Sequence, residues 1–346
     1  MKRILQCLVL LFFIISCKET YKSRDNITIK ITKFSIKNSS IRAIKVLNDT
    51  TLAYAGSNGF FGIMDLSGKS IYTKQIKYDT IYPEFRAIAT TKKAIFILSV
   101  GNPALLYQYK NDTIKLVYKE ENKKVFYDAM QFFDDKNGIA MGDPTDNCLS
   151  VIKTNDGGNS WYKIPCSKLP KVEQGEAAFA ASNTNLKIVN NNVWMVTGGK
   201  KARVFHSFDK GKNWTVTTTP IIQGKNTTGI YTVDFFDENN GIIAGGDYTN
   251  KSETSINKAI TNDGGKTWKP IAKNSFPNYV SCIQYVPNSN GKKVVAVSTN
   301  GIFYSANTGE NWIKLSNNGF YAIKFVSKNL AWLAGDGVIA KMEINY

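Results

Sequence analysis

One eight-residue pattern occurs four times in the 346-residue chain, and it limits the possible folds more than any other feature. The copies are Thr154–Trp161 (TNDGGNSW), Ser207–Trp214 (SFDKGKNW), Thr261–Trp268 (TNDGGKTW) and Ser305–Trp312 (SANTGENW). The shared template is Ser/Thr, any residue, Asp/Asn, any residue, Gly, any residue, Ser/Thr/Asn, Trp. Each position suits a tight β-turn. The Asp or Asn side chain accepts backbone N–H bonds within the turn. The Gly supplies a positive φ that other residues resist. The Trp opens the next strand and lays its ring across the hairpin. Asp156, Trp161, Asp209, Trp214, Asp263, Trp268, Asn307 and Trp312 therefore read as structural staples, not as a catalytic set.

A second hairpin repeats in step with the first. Phe132–Gly142 (FFDDKNGIAMG) and Phe235–Gly245 (FFDENNGIIAG) are its clearest copies, with weaker ones at Val46–Gly56, Thr90–Gly101, Leu186–Gly198 and Phe325–Gly335. The first strand of each unit then starts near Ile41, Phe85, Tyr127, Ala177, Tyr231, Val280 and Phe320. Seven units of roughly 40 to 54 residues, each long enough for about four strands, predict an all-β chain: a seven-bladed β-propeller with four-stranded blades. The last unit has room for about three strands. The orphan strand Ile27–Ile36 completes it and closes the ring, removing two open sheet edges.

The N-terminus reads as an address. Lys2 and Arg3 precede a short apolar run from Ile4 to Ile15, followed by Ser16-Cys17. A basic start and a short apolar core form a secretory signal, too short for a membrane span. A small residue directly before Cys resembles the bacterial lipobox, which implies lipidation of Cys17 and anchoring in the cell envelope. The domain reading is residues 1–16 signal peptide, 17–25 lipidated tether and 26–346 propeller. An ordinary cleaved signal is the alternative. Losing Lys2 and Arg3 lowers the net charge of +17 by two, to +15. An exported chain can hold disulfides, and Cys148 and Cys166 flank a turn centred near Gly157, so a bridge between them is geometrically plausible. Cys282, in an apolar run, reads as a core residue.

The four turns resemble the Asp-box, or bacterial neuraminidase (BNR), repeat. Together with Gly142-Asp143-Pro144, Gly175–Ser182 (GEAAFAAS), Thr197-Gly198-Gly199 before Ala202–Phe205, and Gly245–Tyr248 (GGDY), they resemble propellers related to the photosystem II stability and assembly factors. That resemblance implies a nonphotosynthetic lipoprotein member with the same fold and a binding role. It names no partner for this chain.

In such a ring the repeated turns lie on one face. Ligand residues belong on the other, at first-strand starts and second-strand ends. Those positions hold Arg42, Arg86, Asp128, Asp143, Asp146, Glu176, Lys200, Lys201, Arg203, Tyr231 and Asp247. Mixed charge at a concave mouth can orient a ligand, and the first reading is a protein- or peptide-binding scaffold. The alternative is a glycan hydrolase, with Asp128, Asp143 and Glu176 as its carboxylates or with a sialidase-like set of Arg42, Arg86, Arg203, Glu176 and Tyr231. Arg42 and Arg86 lack the Arg-Ile-Pro context of sialidases. The single His and the absence of a phosphate-binding Gly-rich loop argue against a metal or a cofactor. Lysines are dispersed and no nucleic-acid module is visible. The expected partners are a membrane, through the lipid anchor, and a protein. The chain reads as a monomer with a basic surface that favours anionic envelope material.

Overall fold

A computed structural model describes residues 26–346; the expected signal (1–16), tether (17–25) and lipidated Cys17 lie outside the described residues. The described residues are all-β apart from one short 3-10 turn at Cys166–Lys168. Strands made of apolar residues on both faces, such as Gly241–Asp247 and Val294–Ser298, are buried along their whole length. This is expected of sheets covered on both sides.

The strands form six hydrogen-bonded sheets arranged as a ring, so the expected count of seven blades is corrected to six. Four sheets have four strands. They start from the inner strands Phe85–Thr90, Tyr127–Phe132, Leu186–Val189 and Cys282–Tyr285. Two sheets have six strands, for different reasons. At the termini, Thr28–Asn48 runs as one strand of 21 residues. Its first part pairs with the C-terminal strand, from Thr28↔Asn345 to Ser35↔Val338. Its last part pairs with Thr51–Gly56. Ser40 still pairs with Asp336 after an irregularity, so no break occurs where the sequence pattern placed one. The units starting at Ile41 and Phe320 thereby share one sheet.

The second six-stranded sheet gains Glu176–Ala177 and Gly198–Gly199 beside Thr228–Phe235. Gly198 and Gly229 make this contact possible. A Cβ on Gly229, which has φ +142°, would lie 2.3 Å from the Gly198 Cα. Only glycine tolerates that approach and that backbone region. The expected unit start at Ala177 is also corrected: Ala177 pairs into this six-stranded sheet, and the four-stranded sheet of that unit starts from the inner strand Leu186–Val189.

Apolar clusters link successive sheets around the ring. One joins Phe96 and Leu98 to Tyr127, Met130 and Trp161. Another joins Trp194 and Val204 to Ile230, Val233 and Ile243. The terminal sheet folds over itself, packing Ile41, Ile44 and Leu52 against Ala322, Trp332 and Ile339.

The four repeated turns share one hydrogen-bond scheme. In the first, Thr154 Oγ1 donates to Asp156 Oδ1 (2.8 Å), and the Gly158 and Ser160 N–H groups bond Thr154 Oγ1 (3.0 Å) and Asp156 Oδ1 (3.1 Å). Ser207/Asp209, Thr261/Asp263 and Ser305/Asn307 repeat it. Burial opposes ionisation of Asp209 and Asp263, but the hydrogen bonds outweigh it and hold both down to about 2. Trp161 meets Phe132 edge-on at 5.6 Å, and Trp312 Nε1 donates to Gly309 O at 2.7 Å.

Candidate functional site

Two ends of the ring are distinguished by strand pairing. Gly142 pairs with Ser150 and Gly138 with Thr154. The turn after Thr154 therefore lies at the opposite end from Asp143, which follows Gly142. The mouth is the Asp143 end.

A strap crosses the channel just below this mouth. Between Ala177 and Leu186 the chain leaves its sheet, and its polar groups bond to inner strands from several directions. Arg42 Nη1 donates to Ala181 O (3.1 Å) and Arg86 Nη1 to Ala180 O (2.9 Å). The Ala178 N–H donates to Asp143 Oδ1 (2.7 Å). Asn183 accepts from the Met130 N–H (3.0 Å) and donates to Ile88 O (2.8 Å). Ser182 Oγ donates to Ser281 O and Thr184 Oγ1 to Thr232 Oγ1, each at 2.8 Å. A segment bonded to so many inner strands must sit on the ring axis. Its small side chains (Ala178, Ala180, Ala181, Ser182) are what fit there.

Above the strap is a cavity of about 620 Å³, lined by Arg42, Arg86, Phe126, Asp143, Ala177–Ala181, Asn226, Tyr231, Tyr248, Lys251, Tyr279, Thr299 and Tyr321. The Phe179 ring lies 4.4 Å from that of Tyr231, tilted by 40°, and Tyr279 meets Tyr231 edge-on at 5.5 Å. The Arg42 guanidinium lies 3.7 Å from the Tyr321 ring centroid, a cation–π contact. Arg42 Nε is buried with no partner among the described residues. Arg86 is held by Glu84, through Nε at 2.7 Å and Nη2 at 2.5 Å.

The candidate residues separate into distinct groups. Arg42, Arg86, Asp143 and Tyr231 meet at the cavity. Asp128 lies close to Asp143 and Arg86 but is fully buried, and neither carboxyl oxygen has a hydrogen-bond partner among the described residues. Burial first, and then the Asp143 charge, push Asp128 well above the usual carboxylate range. Burial pushes Asp143 up to about 6, against the opposing Ala178 N–H bond. Glu176 and Arg203 pair with each other, Arg203 Nη2 lying 2.5 Å from Glu176 Oε2. Thr197 Oγ1 (2.5 Å) and the Glu173 N–H (2.8 Å) complete the Glu176 carboxylate. Asp247 binds Thr249, with Lys225 at 3.6 Å. Asp146, Lys200 and Lys201 are exposed. Tyr231 Oη donates to Thr227 O at 2.5 Å, so no Tyr231–Glu176 pair forms. Cys148 and Cys166 are disulfide-bonded with Cα atoms 5.5 Å apart, outside the paired strands. His206 stacks on Trp194, and its Nε2 meets Asn192 Oδ1 at 2.9 Å. Among the described residues, no group of three His, Cys, Asp or Glu side chains could hold a metal.

Of the aromatic collar the sequence pointed only to Tyr231; Phe126, Phe179, Tyr248, Tyr279 and Tyr321 were missed. Tyr321 occupies the inner-strand position of Arg42 and Arg86, so alignment of the repeats could have found it. Phe179 depended on recognising the strap.

The fold and the collared, strapped channel define the chain as a β-propeller. No protein-family model and no curated protein sequence matches it. Solved structures do. YCF48 bound to D1 peptide is similar over 90% of this chain and 96% of that one, at TM-score 0.65 and 11% identity. The RRP9 WD40 repeats cover 91% and 97%, at 0.65 and 11%. The GH74 enzyme of Niastella koreensis covers 87% and 43%, at 0.56 and 13%. Likeness at these identities shows the fold.

Proposed function

We propose that the mouth is a protein- or peptide-binding surface on an envelope-anchored scaffold. The observation that carries this reading is the collar: aromatic rings and two arginines around a preformed cavity floored by backbone. Aromatic and Arg side chains are the ones that dominate binding at protein interfaces. Peptide in the structural neighbour YCF48 is consistent with it. The remaining parts of the proposal rest on the sequence. Residues 1–16 are a signal, Cys17 is lipidated, the four turns are BNR/Asp-box repeats, and the chain is a monomeric relative of the assembly-factor propellers.

The test is a pull-down of envelope proteins on the full chain and on Arg86→Ala, Tyr248→Ala and, as a distant control, Lys292→Ala. The reading expects one partner lost in the first two variants and retained in the third. A partner retained by all three refutes a mouth interface.

A further inference from the structure

The opposite end of the channel carries a feature that the binding reading does not use. Five inner strands present a polar residue there three positions after the mouth residue: Lys45 after Arg42, Gln131 after Asp128, Asp234 after Tyr231, Gln284 after Ser281 and Lys324 after Tyr321; Phe85–Thr90 presents Ala89 after Arg86. Lys187 joins them from Leu186–Val189. Several of these have a structural duty. Gln131 bridges to the next inner strand through Leu186 O (2.7 Å) and the Ile188 N–H (3.0 Å). Asp234 accepts from the Tyr285 N–H (2.8 Å) and from Lys187 Nζ (2.6 Å). Gln284 Oε1 accepts from the Phe325 N–H (3.2 Å).

Lys45 and Lys324 have no such duty. Their backbones pair within the strands, but neither side chain makes a hydrogen bond or an ion pair among the described residues, and both line a cavity of about 400 Å³ with Lys187, Gln131, Gln284 and Asn183. Burial, then repulsion from Lys324 and Lys187, pushes Lys45 down to about 8. Burial likewise lowers Lys324. Three ammonium groups face one carboxylate, Asp234, which Lys187 already occupies. Packing alone gives no reason to gather like charges in a partly dehydrated cavity, where each lowers the stability of the others.

We propose that this cavity binds the phosphate group of a small anion, held by Lys45, Lys187 and Lys324 with the Gln284 amide as a further donor. A dianion compensates the excess positive charge and offers oxygens to all four donors. Charge-assisted hydrogen bonds of this kind are shorter and stronger than neutral ones. The site is separate from the mouth, and either assignment can fail without the other.

Thermal melts and calorimetric titrations of the full chain in detergent, with inorganic phosphate and with glycerol 3-phosphate, test it at constant ionic strength against chloride. The expected result is a saturable rise in melting temperature with phosphate. Affinity falls at least tenfold in Lys324→Met or Lys45→Met, and binding is lost in the double variant. Tighter binding of the ester than of inorganic phosphate identifies an organic phosphate or headgroup as the ligand; the reverse identifies free phosphate. A second readout does not depend on a variant folding: acylation of Lys45 and Lys324 by an amine-reactive ester, followed by mass spectrometry, should be suppressed by phosphate and not by chloride. No saturable shift over chloride, a shift retained in the double variant, or acylation indifferent to phosphate overturns the proposal.

Discussion

Glu176→Gln separates a structural carboxylate from a catalytic one. The Glu176 side chain has no exposed surface, and Arg203 keeps only 12% of its own. The carboxylate receives Arg203 Nε (3.0 Å) and Nη2 (2.5 Å), Thr197 Oγ1 (2.5 Å) and the Glu173 N–H (2.8 Å). Neutralising one member of a buried ion pair costs about 3–5 kcal/mol, mostly because the other charge stays behind. Arg203 retains Lys171 O at 2.9 Å and some solvent, so the lower end applies, about 3 kcal/mol. For a domain of this size that is a fall in melting temperature of roughly 6 °C. Removing both charges in Glu176→Gln/Arg203→Met should recover at least half of the loss. Urea denaturation followed by tryptophan fluorescence measures wild type, Glu176→Gln, Arg203→Met and the double variant. A single variant within about 1 kcal/mol of wild type, or a double variant as unstable as the two singles added, refutes the argument. A catalytic Glu176 would instead show lost glycoside turnover with stability unchanged.

Three further outcomes follow from the same reasoning. Asp143 and Asp128 are raised in the folded state, so their stabilising contribution is full below the unfolded value near 3.8 and is lost as pH rises above it; for Asp143 the loss is complete once pH has risen through about 6. For Asp143 alone that is about 3 kcal/mol, and Asp128→Asn should flatten the fall in melting temperature between pH 4 and 7 and raise it at pH 8; an unchanged slope contradicts the assignment. The disulfide closes a loop with a sequence separation of 18, so Cys148→Ser/Cys166→Ser should lose about 3 kcal/mol in denaturant titrations, and reductant should match it in wild type. Cys17→Ser should move the protein from the membrane fraction to the soluble one, and unchanged partition would refute lipidation there.

The sequence carried the turns and the inner-strand register well, because both rest on short-range chemistry. The turn template names each bonding group, and the mouth positions Arg42, Arg86, Asp143 and Tyr231 follow from first-strand starts and second-strand ends lying opposite the repeated turns. Long-range choices were less visible. Ala177 looked like a strand start because Ala-Ala-Phe-Ala-Ala has no polar alternation. Only the bonds from Arg42, Arg86 and Asn183 make the following residues a strap. Glu176 and Arg203, 27 residues apart, looked like separate mouth charges until the Gly198–Gly199 crossing brought them together. The blade count failed at Ile36–Ile41, where the residues read as a turn but the strand continues. Lys45, Lys187 and Lys324 were in the sequence at a repeated position, hidden by a basic composition in which 44 residues are Lys or Arg.

Site-specific photo-crosslinking tests the central claim most directly. A photoreactive residue at Asn226, an exposed residue lining the mouth, is compared with one at Lys266, in a repeated turn on the opposite face. Irradiation of cells should give a discrete protein adduct from position 226, abolished by Arg86→Ala, and none from position 266. Equal adducts from both positions, or none from the mouth, would contradict a protein-binding role for it.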